Sequence, residues 1–323
     1  MENITGYNPT TEGWPIGSQI SPNEKSMARL CQIYIFPLIF GIGLIGNGLS
    51  FVVMTRKSLR GQVTSFYIAL LAVLDTLTLL SGIVPQWILV TFDVEVNTFS
   101  QTACKIYSLS SIWVSDSVNW VVSLIAIDRF VSVIFPHKAK VWMTLKRSIW
   151  MSILVIFFLF VINMQLLFVK RLEIKHDIRN ETYQHCGFSS TSAYFIFTWI
   201  DLACFCVVPF TIISICNAAI IFRLCLKKSR SVEHKMTSIT LTLILVAIIL
   251  LVCTLPYEIS QLSMRNLPDK TLSLLETDSL YVCSTFLLYI SNSINFFVYC
   301  LVGPSFREEL RKILCRNRVE PAP

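Results

Sequence analysis

Asp128 and Arg129 stand side by side in VSLIAIDRFVSVIFPHK, residues 122–138, an acid and a base within an otherwise apolar run. Alone, such a pair reads as an arginine that reaches toward an interface along its apolar stem while a local carboxylate partners it. Three further acids, Asp116, Asp201 and Glu258, also interrupt apolar stretches. In hydrocarbon a central aspartate costs roughly 2.5–3.5 kcal/mol on insertion scales, so each must be protonated, hydrogen-bonded or matched by a cation. Two arrangements meet that demand. Asp116 and Asp201 can share a proton and hold adjacent helices together, or Asp201 and Glu258 can receive a positive group such as an arginine side chain through charge-assisted bidentate bonds. Asp75 raises the same demand, with Asn47, Asn292 and Asn295 as candidate partners. Bond-breaking chemistry has no comparable footing in the chain. It has no nucleotide-binding loop, no metal-ligand cluster and no nucleophile beside a base, and His137, His176, His185 and His234 are scattered through loops. No enzymatic activity, cofactor or nucleic-acid partner is expected.

The elements that must position these groups belong to a membrane protein. Of 323 residues, 54% are hydrophobic and 15% charged, and the mean hydropathy is +0.63, a composition suited to lipid. A helix needs roughly 20 apolar residues to cross a hydrocarbon core about 30 Å thick. Stretches of that length occur near residues 30–55, 64–91, 104–135, 145–169, 193–226, 237–264 and 274–302, joined by short connections. The expected fold is all-α: a seven-transmembrane helix bundle over residues 30–303, after an extracellular segment, 1–29, and before a cytoplasmic amphipathic helix and short tail, 304–323. Residues 304–314 alternate apolar and basic side chains and read as a helix lying on membrane lipid.

Residues 1–28 lack the apolar stretch of a cleavable signal, which leaves insertion to the first span. Seventeen Lys and Arg fall in one set of loops and nine in the other, so the richer set and the C-terminus are expected in the cytoplasm and the N-terminus outside. The sequons NIT at Asn3 and NET at Asn180 then face the exterior as glycosylation acceptors. Cys315, closing the amphipathic segment, is a candidate for palmitoylation. Most of the eleven cysteines lie within spans and read as small apolar side chains. Cys31 and Cys283, near outer ends, leave a bridge between them open.

Each span also carries a landmark: GNGL with Asn47 in the first, LAVLD with Asp75 in the second, Asp128 and Arg129 in the third, Trp150 in the fourth, Pro209 in the fifth, CTLPY with Pro256 in the sixth and NFFVY at 295–299 in the seventh. In this order, with Cys104 preceding Arg129 by twenty-five residues, they resemble the rhodopsin-like (class A) family of G-protein-coupled receptors over residues 30–316. The resemblance implies a plasma-membrane receptor in which an outer ligand changes helix packing and opens an inner cleft for a heterotrimeric G protein. It implies that Arg129 contacts the G protein when active and is restrained by Asp128 when inactive, with Tyr299 in the same switch. It also implies a disulfide between Cys104 and Cys186, shaping the ligand entrance. The polar cluster of Asn47, Asp75, Asn292 and Asn295 would carry an inward sodium ion at Asp75, yet Val118 stands where the family usually offers a hydroxyl.

Departures from the family pattern bear on both the switch and the ligand. Thr254 replaces the aromatic rotor two residues before Pro256, Asn217 replaces a tyrosine that commonly pairs with the position of Tyr299, and Met236 stands where an acid often restrains the inner arginine. Phe296 replaces the seventh-span proline, which should leave that helix straighter and more fully hydrogen-bonded. The seventh-span SINFFVYC and a fifth-span asparagine resemble invertebrate neuropeptide receptors of the FMRFamide type. Tyr289 stands where an opsin carries its retinal-bearing lysine, and Ser111 where an aminergic receptor carries its aspartate. Light sensing is therefore excluded and a monoamine loses its usual anchor. The favoured partner is an extracellular neuropeptide with a basic group, read by Asp201 and Glu258 with Asp116, Ser111, Gln86, Tyr257, Gln261 and Tyr289 around it. A biogenic amine or other small molecule is the alternative, and a transporter a remote one, because no internal repeat is found. The tail RNRVEPAP holds no Ser or Thr, so phosphorylation there is not expected.

Overall fold

A computed structural model describes residues 22–176, 182–226, 234–266 and 274–314. Asn3, Asn180 and Cys315 lie outside the described residues, and of Gln261 only the helical backbone is described. Backbone amides in hydrocarbon find no water, so long apolar segments satisfy their hydrogen bonds within themselves as helices. The chain forms α1 (Pro22–Met54), α2 (Val63–Phe92), α3 (Gln101–Ile134), a short α4 (Pro136–Trp142), α5 (Leu145–Asn163) and a one-turn α6 (Leu166–Val169). After a hairpin come α7 (Thr191–Asp201), a π turn at Leu202–Val207, α8 (Val208–Leu226), α9 (His234–Asn266), α10 (Leu274–Ser293), α11 (Asn295–Val302) and α12 (Pro304–Leu314).

Local chemistry sets several of these boundaries. Ser100 Oγ accepts from the Ala103 amide at 3.0 Å and opens α3, and Ser190 Oγ accepts from Ala193 at 3.1 Å and opens α7, each meeting a donor that the first helical turn leaves unpaired. Pro136 begins α4, where its missing amide costs nothing.

Among the described residues, five helical stretches are long and apolar enough to cross a membrane, and the bent pair α10 and α11 makes a sixth. The remaining transmembrane helix is α9, whose shorter apolar stretch covers Ile244–Ser260. Within their apolar windows α2 and α3 are 61% buried and α5 only 22%. The second and third spans therefore form the centre of the bundle, and α5 lies at its rim with Trp150, Leu154 and Phe157 exposed. Close helix approach uses small residues. A side chain added at Gly82 would strike the ring and hydroxyl of Tyr289, and one at Gly43 would strike Leu79 and Ser293, so α1, α2 and α10 meet nearly backbone to side chain.

At the outer end, strand β1 (Lys170–His176) pairs antiparallel with β2 (Thr182–Phe188), placing Leu172 opposite Cys186. Cys186 is disulfide-bonded to Cys104 at the head of α3. Gln101 adds two bonds, donating to the Lys170 carbonyl at 3.2 Å and accepting from the Leu172 amide at 2.8 Å. Cys31 and Cys283 are free thiols, so no second bridge joins the outer ends of α1 and α10.

The seventh span departs from expectation. Phe296 in place of proline does not straighten it, for Leu280–Ser293 and Asn295–Leu301 meet at 49°. The cause is a run of polar side chains that compete for helix carbonyls. Ser291 and Asn292 both donate to the Leu288 carbonyl, at 2.6 and 2.9 Å, and Ser293 donates to Tyr289 at 2.9 Å and to Ile39 of α1 at 3.2 Å. Asn47 takes the Asn292 carbonyl at 3.0 Å. Side chains bonding back onto the backbone bend a helix without any proline.

Candidate functional site

The outer half of the bundle is organised by a backbone defect. Pro209 has no amide to give the carbonyl four residues earlier, and the π turn shifts the Val208 amide onto Ala203. The carbonyls of Cys204 and Phe205 are thereby left to other donors, and α3 supplies them. Trp120 Nε1 donates to Cys204 at 2.8 Å and Asn119 Nδ2 to Phe205 at 3.0 Å. The buried Asn119 thus has its polar partner, and the π turn begins immediately after Asp201. Such widened turns recur at functional sites.

Asp201 shares this region with two other carboxyl groups. Asp116, 1% exposed, accepts from Asn163 Nδ2 of α5 at 2.7 Å through Oδ2, while its Oδ1 has no hydrogen-bond partner among the described residues. Asp201 and Glu258 both lie within electrostatic reach of Asp116, and both reach Cys206 and Tyr257. Asp201 is half-buried and Glu258 buried. Three acids from α3, α7 and α9 therefore converge. Around them, Tyr257 and Tyr281 place their rings 6.1 Å apart. Tyr107 donates to the Ser81 carbonyl at 2.9 Å and bonds the Ser111 hydroxyl, which commits Ser111 to a protein partner. Tyr289, 5% exposed and seated in the Gly82 notch, packs helices. Gln86 is half-buried on α2, and its neighbour Trp87 donates to the Ile33 carbonyl at 3.0 Å, tying α2 to α1.

In the middle of the bundle, Asp75 accepts from Asn295 Nδ2 at 2.7 Å. Asn47 and Asn292 bond carbonyls instead of this carboxylate. Asp75 Oδ1, Asn47 Oδ1, Ser50 Oγ and Tyr299 Oη are all buried without a hydrogen-bond partner among the described residues. A carboxylate oxygen with no protein donor suits a monovalent cation, and Val118 contributes no oxygen to it.

At the inner end, both Nε and a terminal nitrogen of Arg129 donate to Asp128 Oδ2, the former at 2.9 Å. Asp128 is 2% exposed, and its Oδ1 has no hydrogen-bond partner among the described residues. Tyr299 stacks on Phe306 of α12 with ring centres 5.8 Å apart and lines a cavity of about 350 Å3 beside Ile68 and Glu309. Glu309 joins α12 to the first inner loop: Arg56 Nε lies 3.5 Å from one oxygen and Lys312 Nζ 2.9 Å from the other. The bond from Lys312, helped by Ser58 and Arg56, holds the Glu309 carboxyl below its ordinary range despite its desolvation.

A lone acid–base pair at the inner end of a helix is a weak sign, but here the central Asp75, the Pro209 defect and the outer disulfide accompany it in one bundle. The sequence profile of the seven-transmembrane receptor (rhodopsin family) matches residues 46–299. The chain belongs to this rhodopsin family of receptors.

Receptors of this family are not enzymes, and the chain is a multi-pass membrane protein of the same kind. It is 23% identical to neuromedin-U receptor 2 of Rattus norvegicus over 93% of its length and 82% of that protein's. It is 25% identical to a QRFP-like peptide receptor of Branchiostoma floridae, covering 94% and 82%. It is 22% identical to an FMRFamide peptide receptor of Caenorhabditis elegans, covering 64% and 49%.

Several residues of this rhodopsin-family receptor escaped the reading of its sequence. Asn163 lies where the helical pattern is ending, and nothing in one dimension pairs it with Asp116. Trp120 and Tyr281 lie within apolar spans, where nothing in the sequence sets them apart from apolar filling. The hairpin left a signal in the alternation of KRLEIKH and TYQHCGF. Thr254, where an aromatic rotor is usual, donates to the Leu250 carbonyl of its own helix at 2.7 Å, so its hydroxyl is spent locally.

Proposed function

We propose that this receptor sits in the plasma membrane with its N-terminus outside, binds an extracellular peptide carrying a basic group, and activates a heterotrimeric G protein. The observation that carries the reading is the convergence of Asp116, Asp201 and Glu258 in the outer half of the bundle. Like charges gathered in a low-dielectric space favour a cation that neutralises them. A guanidinium does so while donating two parallel bonds to a carboxylate. The names of the similar receptors, which refer to peptides, support a peptide ligand, and the loop asymmetry of Lys and Arg supports the orientation.

The mechanism follows as a shift between two packings. A basic side chain bound by Asp201 and Glu258 pulls α7 and the outer half of α9 together. Pro256 lets the inner half of α9 pivot, because its missing amide leaves the helix one bond short at that point. A ligand that favours one packing by a few kcal/mol changes its population by orders of magnitude. In the inactive packing Arg129 stays on Asp128, and in the active one it turns to the G protein. Tyr299 moves with α11 in the same switch. A sodium ion would be held by Asp75 Oδ1 in the inactive packing, where it would neutralise the carboxylate. Glycans on Asn3 and Asn180 and a palmitoyl chain on Cys315 complete the proposal.

The test is activation in cells by a panel of amidated peptides and biogenic amines, for the parent receptor and for Asp201→Asn and Glu258→Gln at matched surface levels. Loss of peptide potency by about tenfold or more in either variant, near 1.4 kcal/mol, is expected. Response to amines alone, or unchanged peptide potency in both variants, would overturn the ligand assignment.

A further inference from the structure

The outer hairpin has two edges, and they are treated unequally. Gln101 of α3 fills one, its side chain donating to the Lys170 carbonyl and accepting from the Leu172 amide as a neighbouring strand would. In an antiparallel pair the amide and carbonyl of one residue point to the same side, and successive residues alternate. Lys170 and Leu172 therefore turn their main chain away from β2. The ladder runs through the residues between them, in step with the Ser189 amide, which donates to the Val169 carbonyl at 2.7 Å. By the same alternation Thr182, Gln184 and Cys186, opposite His176, Ile174 and Leu172, turn their main chain away from β1.

This second edge is open. Thr182 and Gln184 are exposed, and their outward main-chain groups have no partner among the described residues. The turn Val96–Thr98 lies beside β2, but it closes on itself, the Thr98 amide donating to the Glu95 carbonyl at 3.1 Å. An unpaired edge invites another strand, and proteins guard such edges with proline or with charged side chains, lysine above all. β1 carries Lys170, Arg171, Glu173 and Lys175, and its edge is capped besides. β2, TYQHCGF, has no Lys, Arg, Asp, Glu or Pro. The disulfide from Cys186 to Cys104 fixes this unguarded edge at the head of α3.

We infer that the open edge of β2 is a main-chain binding site, on which an extended segment of the peptide ligand adds to the hairpin as a third strand. Thr182 and Gln184 each offer one amide and one carbonyl, and they stand two residues apart, about 7 Å, which is the repeat of an extended chain. Such bonds ignore side chains, so this segment needs free amides rather than charge. β2 leads through Ser189 and Ser190 into α7, which carries Asp201. One chain can therefore pair with the hairpin and continue toward the acids. The inference rests on the peptide reading above and adds what the acids cannot give, recognition of the backbone.

The probe is the most potent amidated peptide of the activation panel, with its main-chain amides methylated one at a time. On the full-length parent in cells, potency should fall by about tenfold at two positions that lie two residues apart, and little at the position between them. Gln184→Pro removes an outward amide without touching the ladder, and proline is tolerated at such an edge. It should weaken the unmethylated peptide by about tenfold at matched surface level. Ile174→Pro makes the same change on the capped edge, and Gln184→Ala alters a side chain alone; both should leave potency unchanged. Methylation without that alternation, or Gln184→Pro no weaker than Ile174→Pro, would overturn the third strand and leave the acid site standing. If no peptide activates the parent, the peptide reading falls and this site with it.

Discussion

Asp116 and Asp128 share one helix and a common predicament, yet the chain treats them differently. They are separated by about 18 Å along α3, twelve residues at 1.5 Å each. Both are almost fully buried, both have Oδ2 engaged, and both leave Oδ1 without a hydrogen-bond partner among the described residues. The outer one is held by a neutral amide, Asn163, and lies near two further acids. The inner one is held by a guanidinium, Arg129. An amide orients a carboxylate but cannot cancel its charge, whereas an adjacent guanidinium does both. The outer region therefore gathers carboxyl groups beside a neutral amide, whereas the inner region sets its carboxyl group against a guanidinium.

The sharpest way to break this contrast is Arg129→Ala, which removes the inner cation and leaves Asp128 unpaired. G-protein activation should fall by about a hundredfold or more, since the active packing loses its contact, while agonist affinity changes by less than about threefold. Radioligand binding beside nucleotide exchange on the same membranes checks this. Next comes Asn163→Leu, which takes away the amide donor that holds Asp116 Oδ2. Leaving a buried acceptor unmet costs about 1–3 kcal/mol, more if charged. The thermal midpoint of the detergent-purified receptor should drop by several degrees and recover in part in Asn163→Leu with Asp116→Leu, where neither group remains. If the double variant is as unstable as the single, the pair is not the unit described.

Asp128→Asn should have a smaller effect in the opposite sense. It keeps the shape but weakens the hold on Arg129, and basal signalling should rise by about two- to fivefold, corresponding to a shift of under about 1 kcal/mol between packings. Unchanged basal signalling would place the restraint elsewhere. Smallest is the effect at α12. Because Lys312 depresses the Glu309 carboxyl, the stabilisation it gives is full above the ordinary value of 4.5 and is lost as pH falls through the lower value of the docked state. A probe on α12 should report loosening only on acidification below that range, and Glu309→Gln should remove the pH dependence.

Much of the fold was legible because lipid imposes a one-dimensional code: length, hydropathy and basic flanks give spans, and one landmark in each gives their order. Asp128 beside Arg129 was legible for the same reason, since the partners are neighbours in sequence. Legibility failed where partners are distant. Asn163 reaches Asp116 across 47 positions and Asn295 reaches Asp75 across 220, and no periodicity in either segment encodes the match. The seventh span failed for another reason. Absence of proline does not mean absence of a kink, because the Ser291–Ser293 run bends the helix through side-chain bonds that have no compositional signature.

The bonds from Asn119 and Trp120 to the carbonyls that Pro209 and the π turn release carry one more consequence. They rivet the third and fifth spans into a strut, so shear between these two spans requires two donors to be unseated together. Under the proposed mechanism activation would have an anisotropic stiffness, with the sixth span, pivoting at Pro256, as the compliant direction and the strut as the frame against which it swings. Cutting a rivet, by Asn119→Ala for instance, would change which helix yields first.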